Sequence, residues 1–95
     1  MPPVCRKGDI CTGHADFNPR PNDEGSPNVF VNGIPAHRKG DHWMIHCNGV
    51  PVCHDSNALK GSGTVFVNGK DIMRIGDPIA CGSKVATGSP NVFAN

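Results

Sequence analysis

The residues of this sequence best suited to chemistry are its cysteines and histidines. The chain has five of each: Cys5, Cys11, Cys47, Cys53 and Cys81, and His14, His37, His42, His46 and His54. An odd number of cysteines disfavours a scaffold held together by disulfides alone. Thiol and imidazole groups together form the donor set that zinc prefers, usually as four tetrahedral ligands in a structural site. The sequence therefore predicts a structural metal ion, with zinc as the first choice and iron as an alternative.

Some of the cysteines have simpler interpretations. Cys5 lies in the first predicted strand and Cys11 shortly after it, and an isolated buried cysteine usually packs as a small hydrophobic residue. Cys47 and Cys53 are six residues apart and flank Asn48-Gly49. They could form a disulfide outside the reducing cytosol or a second metal clip. The roles of Cys11, Cys47 and Cys53 therefore stay open at this stage.

The elements that must position these side chains form an internal repeat, which is the first feature to seek in a short sequence. A Gly-Ser element occurs three times, as GSPNVFVNG at 25–33, GSGTVFVNG at 61–69 and GSPNVFAN at 88–95. A Gly-Asp element, two residues after an arginine, also occurs three times, at 8–9, 40–41 and 76–77. The chain begins with the Gly-Asp half of a unit and closes with the Gly-Ser half, so the two ends together complete a third unit.

Each unit predicts a short β-hairpin. Val29-Phe30-Val31 is a run of strand formers, and Asn32-Gly33 and Asn68-Gly69 are typical of the type I′ turn that joins two strands. The returning strands are predicted at 34–38 and 70–75, after which Gly-Asp turns the chain again. No segment has the pattern of an amphipathic helix. We therefore expect an all-β fold of three imperfect β-hairpin repeats with pseudo-threefold symmetry, closed by pairing of the C-terminal strand with the N-terminal one.

Three connections, 10–24, 42–60 and 78–87, link each Gly-Asp turn to the next Gly-Ser element. If the hairpins form a three-sided body, these connections share one end and bring their cysteines and histidines close to the axis. His37 lies in a hairpin strand and is excluded from this group. The available donors are His14 and Cys11 in the first connection, His42, His46, Cys47, Cys53 and His54 in the second, and Cys81 in the third.

Composition supports this interpretation. A chain of 95 residues forms one domain, 1–95. Its 12 glycines and 9 prolines, with only 5% aromatic residues, leave little material for a core, so a metal, disulfides or a partner must supply stability. A net charge of +1 without a basic patch argues against nucleic-acid binding. Neither a membrane span nor a signal-peptide core is apparent, so we expect synthesis in the cytoplasm and no toxin domain fused to the chain.

At this point the sequence resembles a known family. The segment from Ile34 to Asp41, IPAHRKGD, is similar to the Pro-Ala-Ala-Arg signature of PAAR-repeat proteins, with His37 in place of the second alanine. Residues 70–77 form a degenerate second copy, and the Gly-Ser elements and Cys81-Gly82-Ser83 also match. The resemblance extends from Val4 to Asn95. It implies a sharp cone of three β-repeats with a zinc ion near the apex.

The resemblance also implies a ligand set and a function. Family members similar to this chain use three histidines and one cysteine, which here fits His14, His46, His54 and Cys81; His42 is the main rival of His46. The implied function is that of a structural tip protein whose base caps a trimeric β-helical spike, in a contractile phage tail or a type VI secretion system. The expected partner is a VgrG-like protein or a phage tail spike, with one chain per trimer and the Gly-Ser elements at the docking face. Effector cargo would bind non-covalently, and the target-cell outer membrane would be contacted transiently.

Two other functions are compatible with a zinc site. A stand-alone zinc-binding interaction module would share the ligands but would lack a threefold docking face. A small zinc hydrolase would use Asp55, beside His54, as a general base. Catalytic zinc, however, needs an open coordination position, the sequence has no HExxH motif, and the repeated Gly-Asp aspartates are typical of turns. The sequence therefore favours a protein that is not an enzyme.

Overall fold

The computed structural model describes residues 1–14, 17–47 and 53–95, and all regular secondary structure in these ranges is β. The strands are β1 (Phe30–Val31), β2 (Ile34–Pro35), β3 (His42–Cys47), β4 (Cys53–Asn57), β5 (Phe66–Val67) and β6 (Lys70–Asp71). The predicted all-β class is thus confirmed. Within the described residues, no helix is long and apolar enough to cross a membrane.

The strands form three antiparallel pairs, β1–β2, β3–β4 and β5–β6. The first and third are the predicted hairpins. Asn32 and Gly33 have φ angles of 56° and 75°, and Asn68 and Gly69 have 54° and 77°, as a type I′ turn requires at both central residues. The regular part of each returning strand is only two residues, shorter than predicted, and the residues beyond it form single bridges to the other units: Ala36 to Arg6, Arg38 to Ile72 and Arg74 to Val4. The β3–β4 hairpin was not predicted from the sequence.

The two ends of the chain pair with each other, as the split third repeat predicted. Pro3 and Phe93 form an antiparallel bridge. The Val4 N–H donates to the Val92 carbonyl at 3.0 Å, and the Ser89 N–H donates to the Val4 carbonyl at 2.8 Å. The complete first unit has the same two bonds, from the Ala36 N–H to the Val29 carbonyl at 3.0 Å and from the Ser26 N–H to the Ala36 carbonyl at 2.8 Å. The two ends therefore substitute for one continuous hairpin.

A ring of three backbone hydrogen bonds joins the units at the centre. The Cys5 N–H donates to the Met73 carbonyl at 2.7 Å, Met73 to His37 at 3.0 Å, and His37 to Cys5 at 3.1 Å. Each of these residues is the third of the four that correspond to the Pro-Ala-Ala-Arg signature in its unit. All three are fully buried. Pro3-Val4-Cys5-Arg6 is thus a third copy of the signature that sequence analysis did not single out. The equivalence supports the three-repeat interpretation, while symmetry of the whole body stays a prediction.

The Gly-Asp turns carry a second set of equivalent bonds. In each turn the aspartate N–H donates a hydrogen bond to the arginine carbonyl at 3.0 Å. The glycine before the aspartate has a φ near 90°, which suits a type II turn. Each aspartate also pairs with the arginine guanidinium. The Nε–Oδ2 distances are 3.2 Å for Arg6–Asp9, 2.9 Å for Arg38–Asp41 and 2.9 Å for Arg74–Asp77.

Two layers of buried side chains fill the body. The lower layer consists of repeat-equivalent residues on the hairpins: Val4, Val31, Ala36, Val67, Ile72 and Ala94. The upper layer is less regular and combines two residues of the hydrogen-bonded ring, Cys5 and Met73, with residues of the connections: Cys11, Trp43, Ala58, Ile79 and Val85. The hairpins and the connections therefore contribute to two separate clusters of the core.

Of the three Arg–Asp pairs, Arg38–Asp41 should contribute most to stability. The Asp41 side chain is 1% exposed, against 10% for Asp9 and 12% for Asp77. Removing one partner of a buried ion pair leaves an uncompensated charge and costs roughly 3–5 kcal/mol. We expect Asp41→Ala to lower the free energy of unfolding by about 3 kcal/mol, measured by urea denaturation. Asp9→Ala and Asp77→Ala are matched controls that should cost less, and equal losses at all three sites would contradict the argument.

His37 should make the fold sensitive to acid. Burial lowers its pKa below the ordinary 6.5, against the opposing influence of the Glu24 carbonyl and the Asp41 carboxylate. The unfolded chain therefore binds a proton near pH 6.5 that the folded chain does not bind, and stability falls as the pH drops below that value. The expected extra slope is about 1 kcal/mol per pH unit. Denaturation of wild type and His37→Leu between pH 7.5 and 5.0 should show a shallower slope in the variant, and identical slopes would contradict the assignment.

Candidate metal centre

Four side chains converge beside the upper core layer. The ligand atoms of His14, His46, His54 and Cys81 lie within 4.8 Å of one another. The Nε2 atom of His54 is 3.0 Å from Nε2 of His14 and 2.6 Å from Nε2 of His46. His14 comes from the first connection, His46 and His54 from β3 and β4, and Cys81 from the third connection. The structure thus brings together the four residues predicted as ligands, each connection contributing at least one.

A β-bulge in β3 directs His46 into this cluster. Trp43 lies opposite Ser56 and His46 lies opposite His54, so three steps along β3 match two along β4. In a regular strand, residues three apart point to opposite faces, whereas an inserted bulge residue restores them to the same face. Trp43 and His46 are accordingly both buried, with Met44 and Ile45 exposed between them.

The same bulge separates His42 from the cluster. Residues four apart would share a face in a regular strand, but His42 lies on the outer side, about one-third exposed. Its ring contacts the Asp55 carboxylate through Nε2 and the Asp23 carboxylate through Nδ1, each at 2.7 Å. These hydrogen bonds, with Asp55 first, raise the pKa of His42. Of the two rival residues, His46 therefore lies in the cluster and His42 lies outside it.

The other candidate donors lie outside the cluster. His37 is buried at the centre, where its ring packs edge-on against Trp43 with centroids 5.2 Å apart. Cys11 is buried in the upper core layer and its sulfur accepts the Arg20 N–H at 3.3 Å. Cys5 is fully buried, as expected for a packing residue, and burial raises its thiol pKa well above the usual range.

Neighbouring groups hold the cluster in place. The Nδ1 atom of His46 lies 2.8 Å from the Asn18 carbonyl, an arrangement that leaves Nε2 unprotonated and directed at its neighbours. Phe17 stacks on His14 at 4.9 Å and lies 4.2 Å from the His54 ring. Phe17 was missed by sequence analysis, where its proximity to Gly13-His14 was the available signal.

Gly13 is needed for this arrangement. Its φ is +74°, and a Cβ atom at this position would lie 2.6 Å from the Phe17 carbonyl oxygen. Backbone bonds between His14 and Phe17, at 2.7 and 3.1 Å, then set the histidine beside the aromatic ring. Residues 15–16, between the two, lie outside the described residues.

The donor set fits a metal ion such as zinc. Desolvation lowers the pKa of His54, and the nearby His46 and His14 rings lower it further, which favours the neutral imidazole that binds metal. Ring nitrogens this close repel one another unless a proton or a cation lies between them. Three imidazoles and one cysteine sulfur supply four nitrogen and sulfur donors, the number and kind of ligand that zinc takes in tetrahedral sites.

Cys47 and Cys53 form a disulfide, one of the two alternatives that the sequence left open. They are directly opposed on β3 and β4, next to the His46–His54 pair. The residues between them, 48–52 and thus Asn48-Gly49, lie outside the described residues.

The space around the cluster does not suit catalysis. The adjacent cavity, lined in part by Cys11, Trp43, His46 and Cys81, has a volume of about 10 Å³, enough for about one water molecule. Asp55, the candidate general base, also lines this cavity, but its carboxylate is hydrogen bonded to the ring of His42, outside the cluster, at 2.7 Å. The geometry therefore gives no support to the hydrolase alternative.

The fold and the cluster together define a small β-repeat protein with a histidine-rich potential metal centre. Comparison with known families identifies it further: the model of the PAAR motif matches residues 22–87. The chain belongs to the PAAR-motif family, as the sequence resemblance predicted.

Several curated proteins are similar to the chain. It is 39% identical over 74 residues to the NAD(P)(+) glycohydrolase toxin Tse6 of Pseudomonas aeruginosa, a match that covers 73% of this chain and 17% of the toxin. The same figures hold for the (p)ppApp synthetase toxin Tas1 of Pseudomonas aeruginosa. The double-stranded DNA deaminase toxin A of Burkholderia cenocepacia is 33% identical over 73 residues, covering 73% of this chain and 5% of that protein.

These relatives are far longer than the match, so the activities in their names are not transferred to this chain. The PAAR motif is a structural spike-tip domain, and residues 22–87 of the chain match it. Family membership and the toxin relatives together support a spike-tip or effector-associated role.

Proposed function

We propose that the chain caps a trimeric β-helical spike as a structural tip protein, one chain per trimer, with zinc held by His14, His46, His54 and Cys81. The observation that carries this proposal is a set of three equivalent apolar pairs on the hairpins. Val29 and Phe30 are 38% and 56% exposed, Val65 and Phe66 are 37% and 56%, and Val92 and Phe93 are 37% and 48%. A small protein with so few aromatic residues leaves three of its four phenylalanines about half exposed.

Each of the three Gly-Ser elements carries one of these exposed apolar pairs. The residue after each pair, Val31, Val67 or Ala94, is buried in the lower core layer, so each Gly-Ser element directs one apolar residue inward and two outward. Exposed apolar surface of this kind marks an interaction site. Three equivalent surfaces on one chain suit three identical subunits of a trimer, which explains the proposed ratio of one chain to one trimer.

The metal centre would strengthen the opposite end. Cys81 packs against the upper core layer, which shares no residue with the lower one. The body is elongated, with extents of 39 × 24 × 21 Å. A bound zinc ion would cross-link all three connections there, and structural zinc can supply roughly 10–16 kcal/mol of apparent folding free energy. This end would meet the target-cell outer membrane transiently.

The toxin relatives favour a secretion-system spike over a phage tail as the place of assembly. On that proposal the partner is a VgrG-like trimer, the chain is made in the cytoplasm, and the assembled tip carries effector cargo.

Metal binding should depend on His46 and not on His42. The chain purified without added metal should contain one zinc ion, measured by elemental analysis. His46→Ala should reduce zinc content to a small fraction, because it removes one of four ligands. His42→Ala, in the same strand but outside the cluster, is the matched control and should keep its zinc. Loss of zinc in both variants, or in neither, would contradict the ligand assignment.

Docking should depend on the exposed phenylalanine of each Gly-Ser element. Phe30→Asp should leave the circular dichroism spectrum unchanged, because the side chain is exposed, and should weaken binding to the spike trimer at least tenfold by removing apolar contact area. Val31→Asp introduces a charge into the lower core and should unfold the chain. Size-exclusion chromatography with light scattering measures the complex. Three chains per trimer, or unaltered binding by Phe30→Asp, would contradict the single-cap proposal.

A further inference from the structure

The Cys47–Cys53 disulfide is not explained by the proposed function. It links directly opposed residues of β3 and β4, with Cα atoms 4.1 Å apart. The neighbouring pair along the same hairpin is His46–His54, two of the four residues of the metal centre. A covalent cross-link therefore lies one residue from two of the proposed ligands, on both strands at once.

The two sulfurs do not join the metal cluster. Successive side chains of a strand point to opposite faces, so Cys47 and Cys53 point away from the face on which His46 and His54 converge. The four-residue cluster accordingly includes neither cysteine. The disulfide can act on the metal centre only through the strands, by fixing the distance and register of the two histidines.

The regular pairing of the hairpin is limited at this point. The bulge between Trp43 and His46 interrupts it, and among the described residues of β3 and β4 two pairs follow the bulge, His46–His54 and Cys47–Cys53. Isolated two-stranded ribbons are marginally stable in water. The disulfide is thus the covalent tie of the part of the hairpin that carries both histidines.

We propose that Cys47 and Cys53 form a redox-controlled clasp that retains the metal ion. This inference rests on the proposed metal centre. When the clasp closes, one S–S bond forms, and two electrons and two protons pass to a disulfide-containing oxidant, which is reduced to two thiols. Cys53 is exposed and Cys47 partly so, which leaves them open to such exchange. The ion would exchange more readily in the reducing cytosol and become fixed in an oxidising compartment.

The rate of zinc release tests the clasp. Zinc-loaded wild-type protein is prepared with the disulfide closed, confirmed by mass spectrometry, and a second sample is reduced with a phosphine. Both are mixed with a chromophoric zinc chelator, and the release rate is read from absorbance. We expect release to be about tenfold faster from the reduced protein, within the 10–100-fold range by which groups that support metal ligands alter metal affinity. Amide hydrogen exchange in β3 and β4 should also accelerate on reduction.

Cysteine variants supply the control. Cys47→Ser, Cys53→Ser and the double variant should all release zinc as fast as reduced wild type, since each removes the same bond, and the phosphine should not alter the double variant. Because the wild-type comparison needs no substitution, a variant that folds poorly does not affect the test.

The two proposals fail in different ways. Equal release rates from oxidised and reduced wild type, each holding one zinc ion, would overturn the clasp and leave the metal centre intact. Absence of zinc from the wild type in both redox states would overturn the metal centre, and the clasp with it.

Discussion

The ring of hydrogen bonds among Cys5, His37 and Met73 is the constraint on which the rest of the structure depends. Each residue donates to one neighbour and accepts from the other, all three are fully buried, and each belongs to a different repeat unit. A buried backbone group without a partner is costly, so none of the units can leave the ring without exposing or orphaning the bonds of the other two. The two-residue strands around it are too short to persist alone, and the closed ring supplies the cooperativity that they lack.

The hairpin side and the connection side of the body differ in how closely they keep the repeat. On the hairpin side, the repeated Gly-Ser elements keep nearly identical exposure at nearly identical positions, which yields three equivalent apolar pairs. On the connection side, the segments differ in length and sequence, so the symmetry is lost and a single asymmetric cluster of His14, His46, His54 and Cys81 results. These two features carry the two parts of the proposed function, the docking to a trimer and the binding of one metal ion.

The second connection illustrates how a local irregularity produces a site. The β3–β4 hairpin combines a bulge that turns His46 inward, an outer histidine held between Asp23 and Asp55, and a disulfide one residue beyond the cluster. Bulges commonly lie next to functional sites because they redirect a side chain without ending the strand. The same element that positions two donors is thus also where redox chemistry can reach the metal centre.

Much of this protein could be predicted from its sequence, because the relevant signals are local and repeated. Three features follow from spacing and from backbone preferences that each short segment carries by itself. They are the Asn32-Gly33 and Asn68-Gly69 turns, the Gly-Asp turn that follows each signature arginine, and the pairing of the chain ends. The histidines and cysteines available to a metal could likewise be counted and assigned to connections.

Other features were decided by tertiary structure alone. The presence of His46 and not His42 in the cluster depends on a one-residue shift between β3 and β4, which exists only once the strands are paired. Three further features also required the folded structure: the β3–β4 hairpin, the packing of Phe17 on the histidines, and a disulfide in place of a metal clip for Cys47 and Cys53. Each depends on which residue of another segment lies opposite, and periodicity along a single strand carries no information about that partner.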